Sequence, residues 1–463
     1  MKINQLNSWF RISIIYLFIL NASIVTAAFL LDNDVLSLLA VLLSIFQVFW
    51  YNYYRRKCSV LPFYPFRAVI MEKMNHFPFS LSGLLFKGNE WPRSLSRKQC
   101  RIIKKRAACI PSGIITGTLN HHPSDPGFER VRPEKYPVEI SCRDLRVEVG
   151  TAQCLQPYRL SVLNIGASER ANLSGATLIA LSEGAKISDC AINTGRIGIN
   201  QYLIRGGGDI IWQITSACYN TLETNDWPRD LHLERSAGRP YVKMLEIKLS
   251  AEEQSAIKRE GNACQLLFTV RELRSLSGGK PVGINLDNPE MDLLGCICNS
   301  ILSTGIYIDF FTVEGNKNNY TGACDNAILF RSLSNTRKAL RNYGLTSSVI
   351  ASGNIVTEYD ILRAIALGAD ACYCIEPMIE ATGSGHFLKK ADALTRRVGV
   401  ANYHRNTVEA TVKLMEFCSY KTLSDVTARD FHRRINLVDN ISLEEVYHSQ
   451  KSARYNTVYI SMN

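Results

Sequence analysis

No secreted-type cysteine framework runs through this chain. Its 14 cysteines are spread over strand-like and helix-like segments of 463 residues, which excludes a small disulfide scaffold and makes reduced thiols packed as small hydrophobes the expectation. Clustered metal ligands are missing as well. Cys296 and Cys298, and likewise Cys372 and Cys374, form Cys-x-Cys pairs, but alternate residues of a strand face opposite sides, so packing is the simpler reading of the second pair. The formal net charge is +11, yet no nucleic-acid-binding module accompanies it. Lys and Arg are scattered, with small clusters at 55–57 and 104–106, so the charge is assigned to solvated faces and membrane-adjacent segments and no nucleic-acid partner is expected. A strong Gly-rich phosphate fingerprint behind the first strand-like run is also absent, which weighs against an open doubly wound sheet.

What the chain does have is an eightfold rhythm between residues 160 and 378. Short runs rich in Ile, Val, Phe and Tyr stand at 160–167, 189–193, 210–214, 242–249, 281–286, 308–313, 348–351 and 371–375, each followed by a segment long enough for a crossover helix. Turn signals sit directly behind several of them, at Asn193-Thr194-Gly195, Glu314-Gly315 and Ser352-Gly353-Asn354. This predicts a (β/α)8 TIM barrel, whose chemistry would lie at the C-terminal ends of the strands. Gly206-Gly207-Gly208 precedes the third run and reads as a tight turn on the opposite face.

The N-terminus carries two apolar runs, at about 12–31 and 35–51, separated by Asp32-Asn33-Asp34. Each is long enough to cross a bilayer, no persuasive small-residue cleavage site follows the first, and Trp50, Tyr51, Tyr53 and Tyr54 suit an interfacial belt. The expectation is a transmembrane helical hairpin in an inner or plasma membrane, with lipid as a partner and the barrel on the cytoplasmic side. The chain then divides into a membrane anchor over 1–57, a connecting and barrel-covering region over 58–150, and a barrel with a C-terminal helical part over 151–463.

The blocks at the strand ends carry a family resemblance. They run, in order, from Cys154-Leu155-Gln156-Pro157-Tyr158 and Leu163-Asn164-Ile165 through Asn193-Thr194-Gly195, Gly206-Gly207-Gly208-Asp209-Ile210-Ile211-Trp212-Gln213 and Lys243-Met244-Leu245-Glu246-Ile247-Lys248-Leu249-Ser250. Ser277-Gly278-Gly279-Lys280-Pro281-Val282-Gly283, Ser352-Gly353-Asn354-Ile355-Val356, 364–370 and His404-Arg405-Asn406-Thr407 extend the series. Together they resemble the FMN-binding domain of glutamate synthase, in particular membrane-associated single-domain relatives of its large subunit.

That resemblance implies an FMN-dependent oxidoreductase, with a small-molecule substrate and an electron-donor protein as partners. It also implies a cofactor site drawn from Asn164, Asn193, Thr194, Gln213, Asn285, Ser352, Gly353 and Asn354, in which Ser352-Gly353-Asn354 would cradle the phosphate and Gln213 would meet the ring. His404-Arg405-Asn406 reads as structural capping or packing. Lys243 and Lys248 show no activating partner, and no residue is singled out as catalytic.

The departures from the family pattern are as informative. Arg196 stands where an acid is usual, Asn285 where the fifth strand usually has a lysine near the flavin, and Glu376-Pro377 where the phosphate loop usually has Arg-Gly or Thr-Gly. Ala251-Glu252-Glu253-Gln254 replaces the Gly- and Lys-rich substrate loop, Asn318-Asn319-Tyr320-Thr321-Gly322-Ala323 replaces a glycine-rich turn, and 378–397 contains none of three expected cluster cysteines. These departures imply an altered substrate, no iron–sulfur cluster and no metal. An ion pair between Arg196 and Glu376 is expected to fill the altered mouth. The alternative is a catalytically impaired relative acting as a membrane-associated scaffold or regulatory protein.

Overall fold

The computed structural model describes residues 95–134, 137–140, 145–168, 173–215, 229–315, 326–383 and 393–448. Its compact unit from Asn89 to Asn463 is built on a closed barrel of eight parallel strands. In chain order these are β4 (Leu163–Ile165), β5 (Ala191–Asn193), β6 (Asp209–Thr215), β7 (Val242–Lys248), β8 (Val282–Asp287), β9 (Phe310–Glu314), β10 (Ser348–Ser352) and β11 (Ala371–Cys374). β11 pairs back onto β4 through Cys372 with Leu163, and helices lie in the connections between successive strands. This is the (β/α)8 barrel, with all eight predicted runs in it.

One boundary differs from the sequence expectation. The stretch 160–167 is not one strand: Tyr158–Ser161 forms β3, which pairs antiparallel with β2 (Arg146–Val149), and β4 begins after Val162. The β2–β3 hairpin closes the N-terminal end of the barrel. Val149 and Leu160 join Ala191, Ile211, Met244, Phe310, Ile350 and Ala371 in a buried apolar cluster inside it. Glycine is required at 283, where a Cβ would lie 2.4 Å from the Phe310 carbonyl oxygen and 2.5 Å from its ring; the aromatic side chain takes the space that the missing side chain leaves.

The hairpin is anchored by one buried carboxylate. Asp309 Oδ1 accepts from the Thr151 backbone N–H at 2.8 Å and its hydroxyl at 2.6 Å, while Oδ2 accepts from Arg274 Nη2 and the Val282 N–H, both at 2.8 Å.

Three further elements brace the outside. The helix α1 (Arg97–Ala107) starts at a Ser96–Gln99 capping box and sends Arg106 to Glu358 on the helix Glu358–Ala366, a buried ion pair 2.5 Å long. The 25-residue helix Ala393–Phe417 packs along the same side, and its Asn406 Nδ2 donates to the Arg106 carbonyl at 2.8 Å. A small antiparallel sheet joins β1 (Glu129–Val131), β12 (Phe431–Arg434) and β13 (Asn440–Ser442). There Glu129 is buried between Arg363 and Arg433; burial raises its carboxyl, and the two guanidiniums outweigh that and hold it below its ordinary value.

The membrane expectation is corrected. No helix among the described residues is long and apolar enough to cross a membrane, and the longest, Ala393–Phe417, is interrupted along its length by Arg396, Arg397, Arg405, Glu409, Lys413 and Glu416. The two apolar runs at 12–31 and 35–51 lie outside the described residues, and nothing in the structure supports a membrane-anchored protein.

Candidate functional site at the barrel mouth

Above the apolar floor the inward side chains turn polar. Steps of two residues along each strand place Asn193, Gln213, Glu246, Asn285 and Thr312 in one layer and Lys248, Asp287 and Glu314 in the next, toward the C-terminal ends. The first layer converges on Glu246, which is fully buried on β7. Its Oε1 accepts from Gln213 Nε2 at 2.7 Å, Asn193 Nδ2 at 2.9 Å and Asn285 Nδ2 at 3.1 Å, and its Oε2 accepts from the Thr312 hydroxyl at 2.5 Å. Every contact is to a donor, an environment suited to a carboxylate. Tyr373 closes the same interior from β11; burial, and after it the Glu246 charge, push its phenol well above the ordinary range.

The amide orientations are set from both ends. Asn193 Oδ1 accepts from the Gly195 N–H at 2.9 Å, and Asn285 Oδ1 accepts from Lys248 Nζ at 2.9 Å, so each amide turns its NH2 group to Glu246. Lys248 also donates to Asp287 Oδ1 at 2.5 Å and lies 3.2 Å from Glu314 Oε2, whose Oε1 accepts from Asn285 Nδ2 at 2.9 Å. The outer layer is thus one ammonium bridging two carboxylates and an amide.

The expected site residues divide into two sets. Asn193, Gln213 and Asn285 meet in this network. Asn164 and Thr194 do not: Asn164 donates to the Ser161 carbonyl at 2.6 Å and accepts from the Ala191 N–H at 3.1 Å, and Thr194 Oγ1 accepts from the Gln213 N–H at 3.0 Å. Both pin neighbouring strands together.

Ser352 ends β10 opposite Glu314 and Tyr373. The Gly353 N–H donates to the Tyr373 carbonyl at 3.3 Å, so this donor of the expected phosphate cradle is engaged by the barrel; Asn354 is buried beside it. Glu376 and Pro377 form the first turn of the short helix Glu376–Ala381. The expected ion pair is not formed. Arg196 is exposed, on a single turn of 3-10 helix behind β5, and no ion pair joins it to Glu376.

His404 is structural, as its sequence context implied. It is buried, its Nε2 lies 2.8 Å from the Leu163 carbonyl oxygen and 3.3 Å from Ser161 Oγ, and burial lowers its pKa to about 4. Among the described residues no group of three or more His, Cys, Asp and Glu is placed to hold a metal ion. Cys372 and Cys374 are both buried, and burial raises both thiols.

Residues 262–410 match the family model for the conserved region in glutamate synthase. The glutamate synthase large subunit-like protein YerD of Bacillus subtilis (strain 168) is 26% identical over 263 residues, covering 48% of this chain and 50% of that protein. Over residues 262–410 the chain carries the conserved region of glutamate synthase, in divergent form. It spans about half the length of the curated relative it matches. Solved structures of lower similarity include a mandelate oxidase with benzoyl-formic acid, at 14% identity over 74% of this chain and all of that one with a TM-score of 0.45. Another is a flavocytochrome b2 mutant with pyruvate bound, at 13% identity over 74% and 80% of the two chains with a TM-score of 0.44. At these scores neither bears on chemistry; the barrel is established by its own strand pairing.

Within the family-matched stretch lie Asn285, Thr312, Glu314 and Ser352-Gly353-Asn354, while Glu246 and Lys248 precede it. Behind β7, Ser250 and Glu253 form a capping box that starts the helix Ala251–Glu260 almost directly after the strand. The segment 318–323, expected to replace a glycine-rich turn, lies outside the described residues.

Proposed function

We propose that this chain is a glutamate-synthase-like, FMN-dependent oxidoreductase with a substrate other than 2-oxoglutarate and no iron–sulfur cluster of the family type. The observation that carries the reading is the Lys248 ammonium held 2.9 Å from Asn285 Oδ1. A cation and three oriented amides stand in adjoining layers at the end of a barrel where such enzymes keep their chemistry, although the fifth strand has lost its lysine.

Asn193 and Gln213 each show one side-chain NH2 bond, to Glu246, which leaves a second amide hydrogen that a flavin ring could take, whereas both hydrogens of Asn285 are engaged. Gln213, Asn193, Asn285 and Lys248 would border the ring, with Ser352 and Asn354 toward the phosphate. When bound, FMN supplies two-electron acceptance and donation. The protein's contribution is positional: Glu246 fixes which way three amides point, Lys248 places a charge beside them, and the apolar floor under Phe310 keeps water from entering from below. The capped helix behind β7 removes the loop expected to hold 2-oxoglutarate, which supports a changed substrate. The absence of cysteine from 378–397 supports electron delivery by a separate donor protein.

A second reading, a catalytically impaired scaffold or regulatory protein, is favoured by the phosphate side. There the Gly353 N–H is engaged by Tyr373, and Glu376 and Pro377 open the following helix; a carboxylate and a proline are poor neighbours for phosphate. The visible absorption spectrum of the purified protein, with acid release of any chromophore, separates the two. Stoichiometric FMN supports the oxidoreductase. A colourless protein that also fails to quench the fluorescence of added FMN supports the scaffold.

A further inference from the structure

We propose that the exposed face of α1, together with the loop that follows it, docks the electron-donor protein, a carrier whose own surface is acidic. The inference rests on the flavin reading above and names the surface that its partner would use. With 3.6 residues per turn, Arg97, Lys98, Arg101 and Lys105 fall within an arc of about 100°, and all four are exposed. Gln99, Ile103 and Arg106, on the opposite arc, are buried. The helix contains no Asp or Glu.

Folding does not account for this face. Arg97 and Arg101, and again Arg101 and Lys105, are like charges four residues apart, a spacing that destabilises a helix. Arg97 and Lys98 also stand in the first turn, where the helix dipole favours carboxylates and disfavours cations. Lys104, by contrast, is used internally, with its ammonium 3.5 Å from Glu380 Oε1. The four outward cations therefore cost the helix stability, and an acidic surface laid across them offsets that cost.

The loop behind the helix adds an apolar contact and fixes the position. Ile110 and Ile114 are 52% and 43% exposed. The segment that carries them is held by Arg106 Nε, which donates to Ser112 Oγ at 3.2 Å, and by the Ile115 N–H, which donates to Glu358 Oε1 at 2.7 Å. Glu358 and Glu376 open the helices that leave β10 and β11 at the C-terminal end of the barrel. α1 reaches both helices, through Arg106 to Glu358 and Lys104 to Glu380, so its C-terminal half and the following loop lie at the mouth end. Apolar side chains bordered by charge are the anatomy of a protein interface, and the cations raise the rate of encounter with an acidic partner. The carrier gives up two electrons to oxidised FMN, singly or as a pair, and the protons that complete the reduction come from water.

The test is isothermal titration of the full-length, FMN-loaded protein with flavodoxin, an acidic carrier, and with cytochrome c, a basic one. Flavodoxin is expected to bind and cytochrome c not, with the affinity falling as salt rises. The triple change Lys98→Glu, Arg101→Glu and Lys105→Glu is expected to weaken flavodoxin binding at least ten-fold with the thermal midpoint no lower than in wild type. Ile110→Ser should weaken it several-fold and leave the salt dependence unchanged. Arg259→Glu, which reverses an exposed cation on the helix Ala251–Glu260, should bind as wild type does. Flavodoxin binding that survives both the triple change and Ile110→Ser, or that is lost equally in Arg259→Glu, overturns the inference. So does a wild type that does not bind flavodoxin; if phosphatidylserine vesicles then bind through the same cations, the face serves lipid instead. Any of these results in protein that carries FMN leaves the flavin reading intact, whereas a protein that carries none removes the flavin reading and this inference with it.

Discussion

Glu246→Ala removes the single group on which three amides and a hydroxyl converge. A hydrogen bond to a charged group contributes roughly 1.5–3 kcal/mol net, and a buried donor left unmade costs roughly 1–3 kcal/mol. Asn285 keeps its bond to Glu314 and Thr312 can rotate, which leaves Asn193 and Gln213 to bear most of the loss. Water entering from the mouth offsets part of it, so the expected destabilisation is about 3–5 kcal/mol, a large share of the roughly 5–15 kcal/mol typical of folded domains. Glu246→Gln should cost far less. Its oxygen can stay with the three amides while its NH2 turns to Thr312, whose hydroxyl accepts instead of donating, so only charge assistance is lost, about 1–2 kcal/mol. Urea unfolding followed by far-UV circular dichroism measures both. An alanine variant within 1 kcal/mol of wild type, on the order of a surface substitution, would refute the view that Glu246 organises the mouth.

Three further outcomes are expected. Glu358→Ala should destabilise by roughly 3–5 kcal/mol, because it strands the buried Arg106 guanidinium; replacing both partners by Met and Leu should recover most of that loss in the same unfolding assay. His404 binds its proton only at about pH 4 in the folded protein, against 6.5 for the ordinary group, so the unfolded chain binds more protons between those values and stability rises with pH there. This contribution, roughly 3 kcal/mol, is complete above about pH 6.5 and lost as pH falls toward 4. Urea midpoints compared at pH 5 and 7.5 should show it, and His404→Gln should flatten that part of the profile. Gly283→Ala should lower the thermal midpoint by driving a methyl group into Phe310, while Gly261→Ala, where open space surrounds the Cβ, should show only the smaller effect of its left-handed backbone.

The barrel was legible in sequence because each strand is covered on both faces and so reads as an apolar, β-branched run with a turn behind it. The same property hid half of the site. Glu246 and Lys248 stand two and four residues beyond Met244, on the inward face, and Thr312 and Glu314 stand likewise beyond Phe310; taking every second residue from each floor position would have found them. Asn193, Gln213 and Asn285, singled out through the resemblance, are the three amides that meet at Glu246. Asn164 and Thr194 lie outside the Glu246 network because a short polar side chain beside a backbone N–H or C=O is often consumed locally, which sequence does not reveal. The strand break at Val162 was invisible because no turn residue marks it. It is set by β2, within a region that shows no chemistry of its own.

The anchoring of the β2–β3 hairpin at Asp309 ties residues that are 158 positions apart. A chain emerging from the ribosome presents Val149 and Leu160 well before β9 exists to receive Thr151, so the apolar face of the hairpin must wait, uncovered, while more than a third of the protein is still being synthesised. Closure of the barrel floor is then a late, high-contact-order event. Fragments ending before residue 309 should be substrates for chaperones rather than stable half-barrels.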